Sequence, residues 1–213
     1  MRSNQDLTLL LLAGGASRRM GRDKASIPFP SPLDPPLIQR VHDLLRPLAA
    51  DCLVAGPASF ELSCRLVGDA PGIAGPLGGL VAGLRGATTE YVLAVATDLP
   101  LVEPQLAQHL LGRARARRCS GAVVCRRSGQ LEPLFAVYRT GAAPQLEAAA
   151  ALAPANRGIS LQLAILRLDP LVVAEAEWRR FDPQGSSFQG CNTPEELAAA
   201  SLLAGARHQG GVS

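Results

Sequence analysis

Short runs dominated by apolar residues recur along the chain, at 7–13, 52–55, 64–68, 91–97, 121–125, 131–138 and 171–174. Runs of this length without strict polar alternation suit strands covered on both faces, as in a parallel sheet with helices above and below. Between them the spacing turns helical. Leu37, Ile38, Val41, Leu44, Leu45 and Leu48 share one face, with Gln39, Arg40, Asp43 and Arg46 elsewhere, which predicts an amphipathic core helix. Helical spacing resumes at Leu80 and Leu84, again from Gln105 to Arg118, where the closing RARARR is expected as a solvated helix end facing its own dipole, and in the alanine-rich 142–152. Thr193-Pro194-Glu195-Glu196 is a helix start, with Thr193 as cap, Pro194 at the first helical position and Glu196 closing a capping box. Strands alternating with helices predict one α/β domain, a Rossmann-like three-layer α/β/α architecture with a mostly parallel central sheet. That domain is expected to span 1–203, with 204–213 a loose tail.

The first apolar run ends in Gly14-Gly15, followed by Arg18, Arg19, Gly21, Asp23 and Lys24. Adjacent glycines lack the Cβ atoms that hold a ligand off the backbone, so their N–H groups can turn toward an anion. The arginines and Lys24 then face whatever the backbone admits. A Walker A loop is excluded because Ala25 stands where the metal-binding hydroxyl belongs, and the dinucleotide fingerprint because the glycines are adjacent rather than alternating. What remains is a polyphosphate site at the carboxyl end of a first strand.

Two further stretches carry chemistry. Asp69 opens GDAPGIAGPLGGL, where Gly75, Pro76, Leu77 and Gly78 lead into a helix, a backbone-rich loop that can read a base edge without side chains. Asp98 ends the apolar run YVLAVAT, and the carboxyl end of a central strand borders the crevice where open α/β sheets bind ligands. Asp98 is therefore the candidate Mg²⁺ ligand, since Mg²⁺ sites bridging phosphates take only one or two carboxylates. Helix capping is its other reading, because Pro100 and Pro104 favour a nearby helix start. Five prolines between Pro28 and Pro36 rule out a helix interior there.

Composition narrows the function classes. A formal charge of +3 and 4% aromatics fall short of a nucleic-acid-binding face. Cys52, Cys64, Cys119, Cys125 and Cys191 show no CxxC pair, so neither a zinc site nor a disulfide framework is indicated; buried free thiols in a reducing cytoplasm are expected. The N-terminal apolar run is too short to span a bilayer, and no signal peptide or membrane segment is read. His42, His109 and His208 form no triad or metal cluster by sequence.

The stretch LAGGASRRMGRDKA, from Leu12 to Ala25, resembles the signature LAGGxSxRMGxDKA of the molybdenum cofactor guanylyltransferases, within the MobA-like nucleotidyltransferases. GPLGG at Gly75 to Gly79 and NTPEEL at Asn192 to Leu197 are similar to further motifs of that family, so the resemblance spans nearly the whole chain. DLP at Asp98 departs slightly from the family's commoner DMP, and 28–36 looks lengthened where the family has a tight turn. The resemblance implies the nucleotidyltransferase fold and transfer of GMP from GTP to the terminal phosphate of molybdopterin or the molybdenum cofactor, with release of pyrophosphate. It implies Arg19, Lys24 and Asp98 as catalytic residues, the last holding Mg²⁺. Leu12, Ala13, Gly14, Gly15, Arg18, Lys24, Asp69, Gly75, Pro76, Leu77, Gly78 and Asp98 would contact the nucleotide, and Glu132 and Asn192 would lie on the acceptor side. The implied partners are GTP and a molybdopterin-type phosphorylated acceptor, with transient contact to molybdoenzyme-maturation proteins and neither nucleic acid nor membrane. Two alternatives stay open: a cytidylyl- or sugar-phosphate nucleotidyltransferase on the same fold, and a nucleotide-binding subunit without turnover.

Overall fold

In the computed structural model the described residues are 4–14, 24–56, 62–117, 121–152 and 159–209. The chain runs through β1 (Leu7–Leu12), α1 (Leu37–Leu45), β2 (Asp51–Ala55), β3 (Arg65–Val67), α2 (Pro76–Gly86), β4 (Tyr91–Ala96) and α3 (Pro104–Arg117). It continues through β5 (Ala122–Arg127), β6 (Gln130–Arg139), α4 (Ala143–Ala151), α5 (Leu161–Leu166), β7 (Leu171–Val173), α6 (Glu175–Trp178) and α7 (Pro194–Gln209).

β1 shows why the apolar runs carry no polar face: every residue in it is buried. Leu7, Leu9 and Leu11 pack with Ile38, Val41 and Leu45 of α1 and Leu106 and Leu110 of α3. Leu10 and Leu12 point the other way, onto Leu80, Val81 and Leu84 of α2 and Leu146 of α4. The strand period of two thus feeds two separate cores, and burying one leucine side chain contributes about 1.5–3 kcal/mol. Thr8, buried within this strand, shares a hydrogen bond of 2.8 Å with the hydroxyl of Thr89.

The sheet has seven strands in the order β3-β2-β1-β4-β6-β5-β7. β1 lies between β2 and β4, parallel to both. The chain first builds outward through β2 and β3, then returns to the other side of β1 with β4. That reversal opens a crevice at the carboxyl ends of β1 and β4, where open α/β sheets bind ligands. The apolar run 131–138 falls within β6, which inserts between β4 and β5, antiparallel to both. Its first residues therefore reach the same end of the sheet as the last residues of β4.

Three expectations are corrected. Cys52 and Cys64 are joined by a disulfide rather than being free thiols. The cause is register: β2 and β3 are parallel with Leu53 opposite Arg65, which brings together the residues preceding each. Cys125 and Cys191 are buried thiols outside any disulfide, as expected. Second, α7 continues through Gln209, into the segment read as a loose tail. Ala204 is fully buried, packing with Ala200, Phe29, Leu37 and Leu101 in a third cluster. Phe29 belongs to the proline-rich stretch, which doubles back on itself through a Pro28–Pro36 bridge and hydrogen bonds from Phe29 N to Pro35 O and Leu37 N to Ile27 O. Third, the basic run ending α3 is not simply a solvated helix end. Arg115 donates to Asp6 and Arg113 pairs with Glu177 at 3.0 Å.

Candidate active site

The carboxyl ends of β1, β2 and β4 are tied at one level. Ala13 N–H donates to Ala55 O at 2.8 Å, and Thr97 N–H donates to Leu12 O at 3.3 Å. Beside them the chain enters α2 through Gly75, whose φ of +72° lies in the left-handed region that favours glycine. Gly78 N–H donates to Gly75 O at 2.9 Å and Ala70 N–H donates to Gly78 O at 3.1 Å, which folds the Asp69–Gly78 segment back on itself. A side chain on Gly78 would collide with the carbonyl oxygen of Ile73. At Gly79 a Cβ would come within 3.1 Å of Ala55 and 3.2 Å of Leu12, so α2 lies as close to the strand ends as backbone allows.

These elements enclose a cleft of about 300 Å³ lined by Leu12, Gly14, Ala55, Asp69, Gly75, Pro76 and Gly79. The walls are backbone and small apolar groups, with one carboxylate, Asp69. Such a wall accepts a flat heterocycle and offers it few but directional polar groups. Leu77 is buried beneath the cleft as part of the α2 core face, and Ala13 and Gly78 build its frame rather than its lining.

Asp98 stands one residue beyond Thr97, on the turn leaving β4, and is half-buried. Contacts that hold that turn include the hydrogen bonds from Arg40 Nε to Pro100 O at 2.8 Å and from Cys191 N–H to Asp98 O at 2.9 Å. Across it, a Cβ on Gly190 would lie 3.0 Å from Asn192 Nδ2 and 3.6 Å from Asp98 Oδ2. The bare backbone of Gly190 thus lets the carboxylate and the carboxamide converge. Asn192, expected on the acceptor side, comes to Asp98 from the far end of the sequence.

The segment that delivers Asn192 is anchored by residues with no part in the sequence-level site. Buried Asp182 accepts hydrogen bonds from the N–H groups of Ser186 (3.1 Å) and Ser187 (2.7 Å), and Ser187 Oγ accepts from Glu103 N–H at 2.9 Å. Phe188 then wedges against Phe135 and Trp178. The signal for this anchor was present in DPQGSS, an acid three residues before a glycine and followed by serines, the composition of a side-chain-stabilised turn. Arg40 and Gly190 carried no such signal, because Arg40 acts through Pro100 and Gly190 through the approach of Asp98, both distant in sequence.

Glu132 lies at the start of β6, at the ligand-binding end of the sheet, and accepts a hydrogen bond of 2.8 Å from Arg127 Nε. Burial raises the Glu132 carboxyl above its ordinary range, and Arg127 opposes that shift. Cys125 is no nucleophile, because burial pushes its thiol up to about 12. Gly15, Arg18 and Arg19 lie outside the described residues, and Lys24 enters only as backbone at the start of a short 3-10 turn.

The capping box at Asn192 is present as expected. Glu196 N–H donates to Thr193 Oγ1 at 3.2 Å, and Glu196 Oε2 accepts from Thr193 N–H at 3.1 Å and Asn192 N–H at 2.6 Å. Thr193→Ala removes one half of this exchange and is expected to cost about 1 kcal/mol of stability, measured as the shift of the urea unfolding midpoint at constant slope.

Comparison with known proteins places this arrangement. The chain is 38% identical over 196 residues to the molybdenum cofactor guanylyltransferase of Pseudomonas putida, covering 89% of this chain and 95% of the relative. It is 37% identical over 206 residues to that of Ectopseudomonas mendocina, covering 94% of each. Its fold is similar to that of the molybdopterin-guanine dinucleotide biosynthesis protein A of Archaeoglobus fulgidus, with TM-score 0.78 at 24% identity, covering 93% of this chain and 99% of that one. It is also similar, with TM-score 0.62 at 17% identity, to the 2-C-methyl-D-erythritol 4-phosphate cytidylyltransferase of Thermus thermophilus, covering 92% and 97% of the two chains. Among the described residues no helix is long and apolar enough to cross a membrane. Residues 9–164 match the profile of the MobA-like NTP transferase domain, and the chain belongs to that family.

Proposed function

We propose that this chain transfers GMP from GTP to the terminal phosphate of molybdopterin or the molybdenum cofactor, releasing pyrophosphate. The observation that carries this reading is the cleft between the end of β1 and the glycine turn of α2, a backbone-walled pocket beside a half-buried carboxylate. The names of the relatives supply guanine and the acceptor.

The chemistry asks little of acid–base groups. A phosphate dianion on the acceptor is itself a nucleophile, so attack on the α-phosphorus needs alignment and neutralisation of charge rather than a general base. Leu12, Gly14, Gly75, Pro76 and Gly79 form the nucleoside side of the cleft, and the Asp69 carboxylate accepts hydrogen bonds from N–H or O–H groups of the nucleoside. Arg18, Arg19 and Lys24 take the triphosphate, a role assigned on the motif alone. The donor set at Asp98 suits Mg²⁺: a half-buried, hard carboxylate oxygen with a carboxamide nearby, the ion's remaining positions being those that phosphate and water would fill. When bound, Mg²⁺ neutralises charge on the nucleotide phosphates. Asn192 and Glu132 serve the acceptor from the other side of the turn.

Thermal unfolding with each nucleoside triphosphate and Mg²⁺ tests the base. GTP at a hundred times its Kd adds about 2.7 kcal/mol, roughly 5–10 °C for a chain of this size. Stabilisation by CTP alone would overturn the guanylyl reading in favour of a cytidylyl enzyme. Nucleotide binding without pyrophosphate release in the presence of the acceptor would leave a non-catalytic subunit.

A further inference from the structure

At the opposite end of the sheet from the cleft, a ring nitrogen of His42, the sulfur of Cys52 and the sulfur of Cys64 all lie within 4.8 Å of one another. The fold makes this trio. Parallel pairing of β2 with β3 sets Cys52 beside Cys64 at the amino ends of the strands, with Cα atoms 4.7 Å apart. α1 covers the same face, its Val41 and Leu45 sharing a core cluster with Cys52, which brings the neighbouring His42 over the sulfurs. The separations along the chain match no zinc motif, which is why the sequence showed none.

The imidazole is set up as a ligand. Nδ1 is engaged by Asp43 Oδ1 at 2.8 Å, and Gln39 Nε2 donates to the same oxygen at 2.7 Å. Nε2 is buried without a hydrogen-bond partner. A carboxylate accepting the Nδ1 proton fixes the tautomer whose Nε2 carries a lone pair, the usual support of a metal-bound histidine. A buried ring nitrogen without a partner otherwise costs about 1–3 kcal/mol.

We propose that His42, Cys52 and Cys64, once the disulfide is reduced, form a binding site for a thiophilic divalent cation, Zn²⁺ by the chemistry of the donors. Two thiolates and one neutral imidazole balance a divalent charge, so the complex is neutral. That suits a place where Cys52 is 2% exposed and packs on apolar side chains. Zinc–sulfur bonds of about 2.3 Å at a tetrahedral angle set the sulfurs about 3.8 Å apart, a small opening of the bonded pair. Cys64 is only half-buried, which leaves a side for water as fourth ligand. The steps balance. A phosphine reductant and water convert the disulfide to two thiols and the phosphine oxide. The two thiols then lose two protons to the solvent as the cation binds. The disulfide ties β2 to the start of edge strand β3, and the metal would tie the same two sulfurs to His42 of α1.

The test uses the full chain, reduced with a water-soluble phosphine, stripped of metal and titrated with Co²⁺ under nitrogen. One Co²⁺ per chain is expected, with the intense visible bands of tetrahedral cobalt and a near-ultraviolet thiolate-to-cobalt band, discharged by Zn²⁺. Mg²⁺-type oxygen sites give neither feature. Cys64→Ser should cut the thiolate band to about half or less, and His42→Ala should shift the visible bands and weaken cobalt binding. Asp43→Asn, a change at an exposed position, should keep the spectrum and weaken zinc affinity about 10–100-fold. Asp43→Asn also keeps the test open if either ligand variant fails to fold. Absence of a thiolate band in the reduced chain, or the same spectrum and affinity in all three variants, would overturn the site.

Discussion

Asp98→Asn lowers the rate of pyrophosphate release about 10²–10³-fold, the range found when one preorganised electrostatic group is removed from a phosphate- or oxyanion-binding site. Its melting temperature in the absence of nucleotide stays at the wild-type value. The separation of the two effects follows from which atoms hold the turn. The main-chain oxygen of Asp98 accepts from Cys191 N–H, and Arg40 grips the neighbouring Pro100 carbonyl, so the fixing contacts survive replacement of the carboxylate by an isosteric amide. What is lost is the negative charge beside Asn192. A neutral carboxamide is a poor ligand for a strongly hydrated Mg²⁺. The measurement is steady-state pyrophosphate release with GTP and acceptor across a range of Mg²⁺ concentrations. A variant matching the wild type at every concentration would remove Asp98 from metal binding, and the proposed chemistry with it.

Most of this frame could be read from sequence because the relevant physics is local. A strand buried on both faces has to be apolar throughout, so β1 and β4 announce themselves. The NTPEEL box carries its own hydrogen bonds, and the amphipathic face of α1 needs no distant partner to be recognised. Register and pairing were not legible. Nothing in 131–138 says that β6 runs antiparallel between β4 and β5, and nothing in the spacing of Cys52 and Cys64 says that adjacent strands bring them together. The same holds within the site. Asp69 was found because it opens a glycine-proline loop and Asp98 because it follows an apolar run, whereas Gly190 matters only because it lets Asp98, from the middle of the chain, approach Asn192 two residues on. The proline-rich stretch was read correctly as non-helical, yet its role in burying Phe29 beneath α7 depends on a core cluster assembled from residues far apart in sequence.

The glycine turn of α2 supplies the second large effect. Gly78→Ala is expected to lower stability by about 1–3 kcal/mol, the ordinary cost of forcing a methyl group into a packed site, and to raise KM for GTP more than it lowers kcat. Helix propensity alone argues the other way, since alanine is favoured over glycine by about 0.8–1 kcal/mol within a helix. The sign therefore depends on what the new methyl meets. At Gly78 it meets the carbonyl oxygen of Ile73, a backbone atom that cannot rotate aside. Relief requires moving the Asp69–Gly78 fold, including the bonds from Gly78 N–H to Gly75 O and from Ala70 N–H to Gly78 O. Those same residues carry Asp69, Gly75 and Pro76 along the cleft, so the displacement is felt as weaker nucleotide binding. Gly112→Ala, in α3 where a Cβ would meet nothing within 4 Å, provides the control and should raise the melting temperature. Parallel thermal melts and GTP saturation curves on both variants decide the matter. If Gly78→Ala is stabilised like Gly112→Ala and keeps its KM, the turn of α2 is neither tightly packed nor part of the nucleotide site.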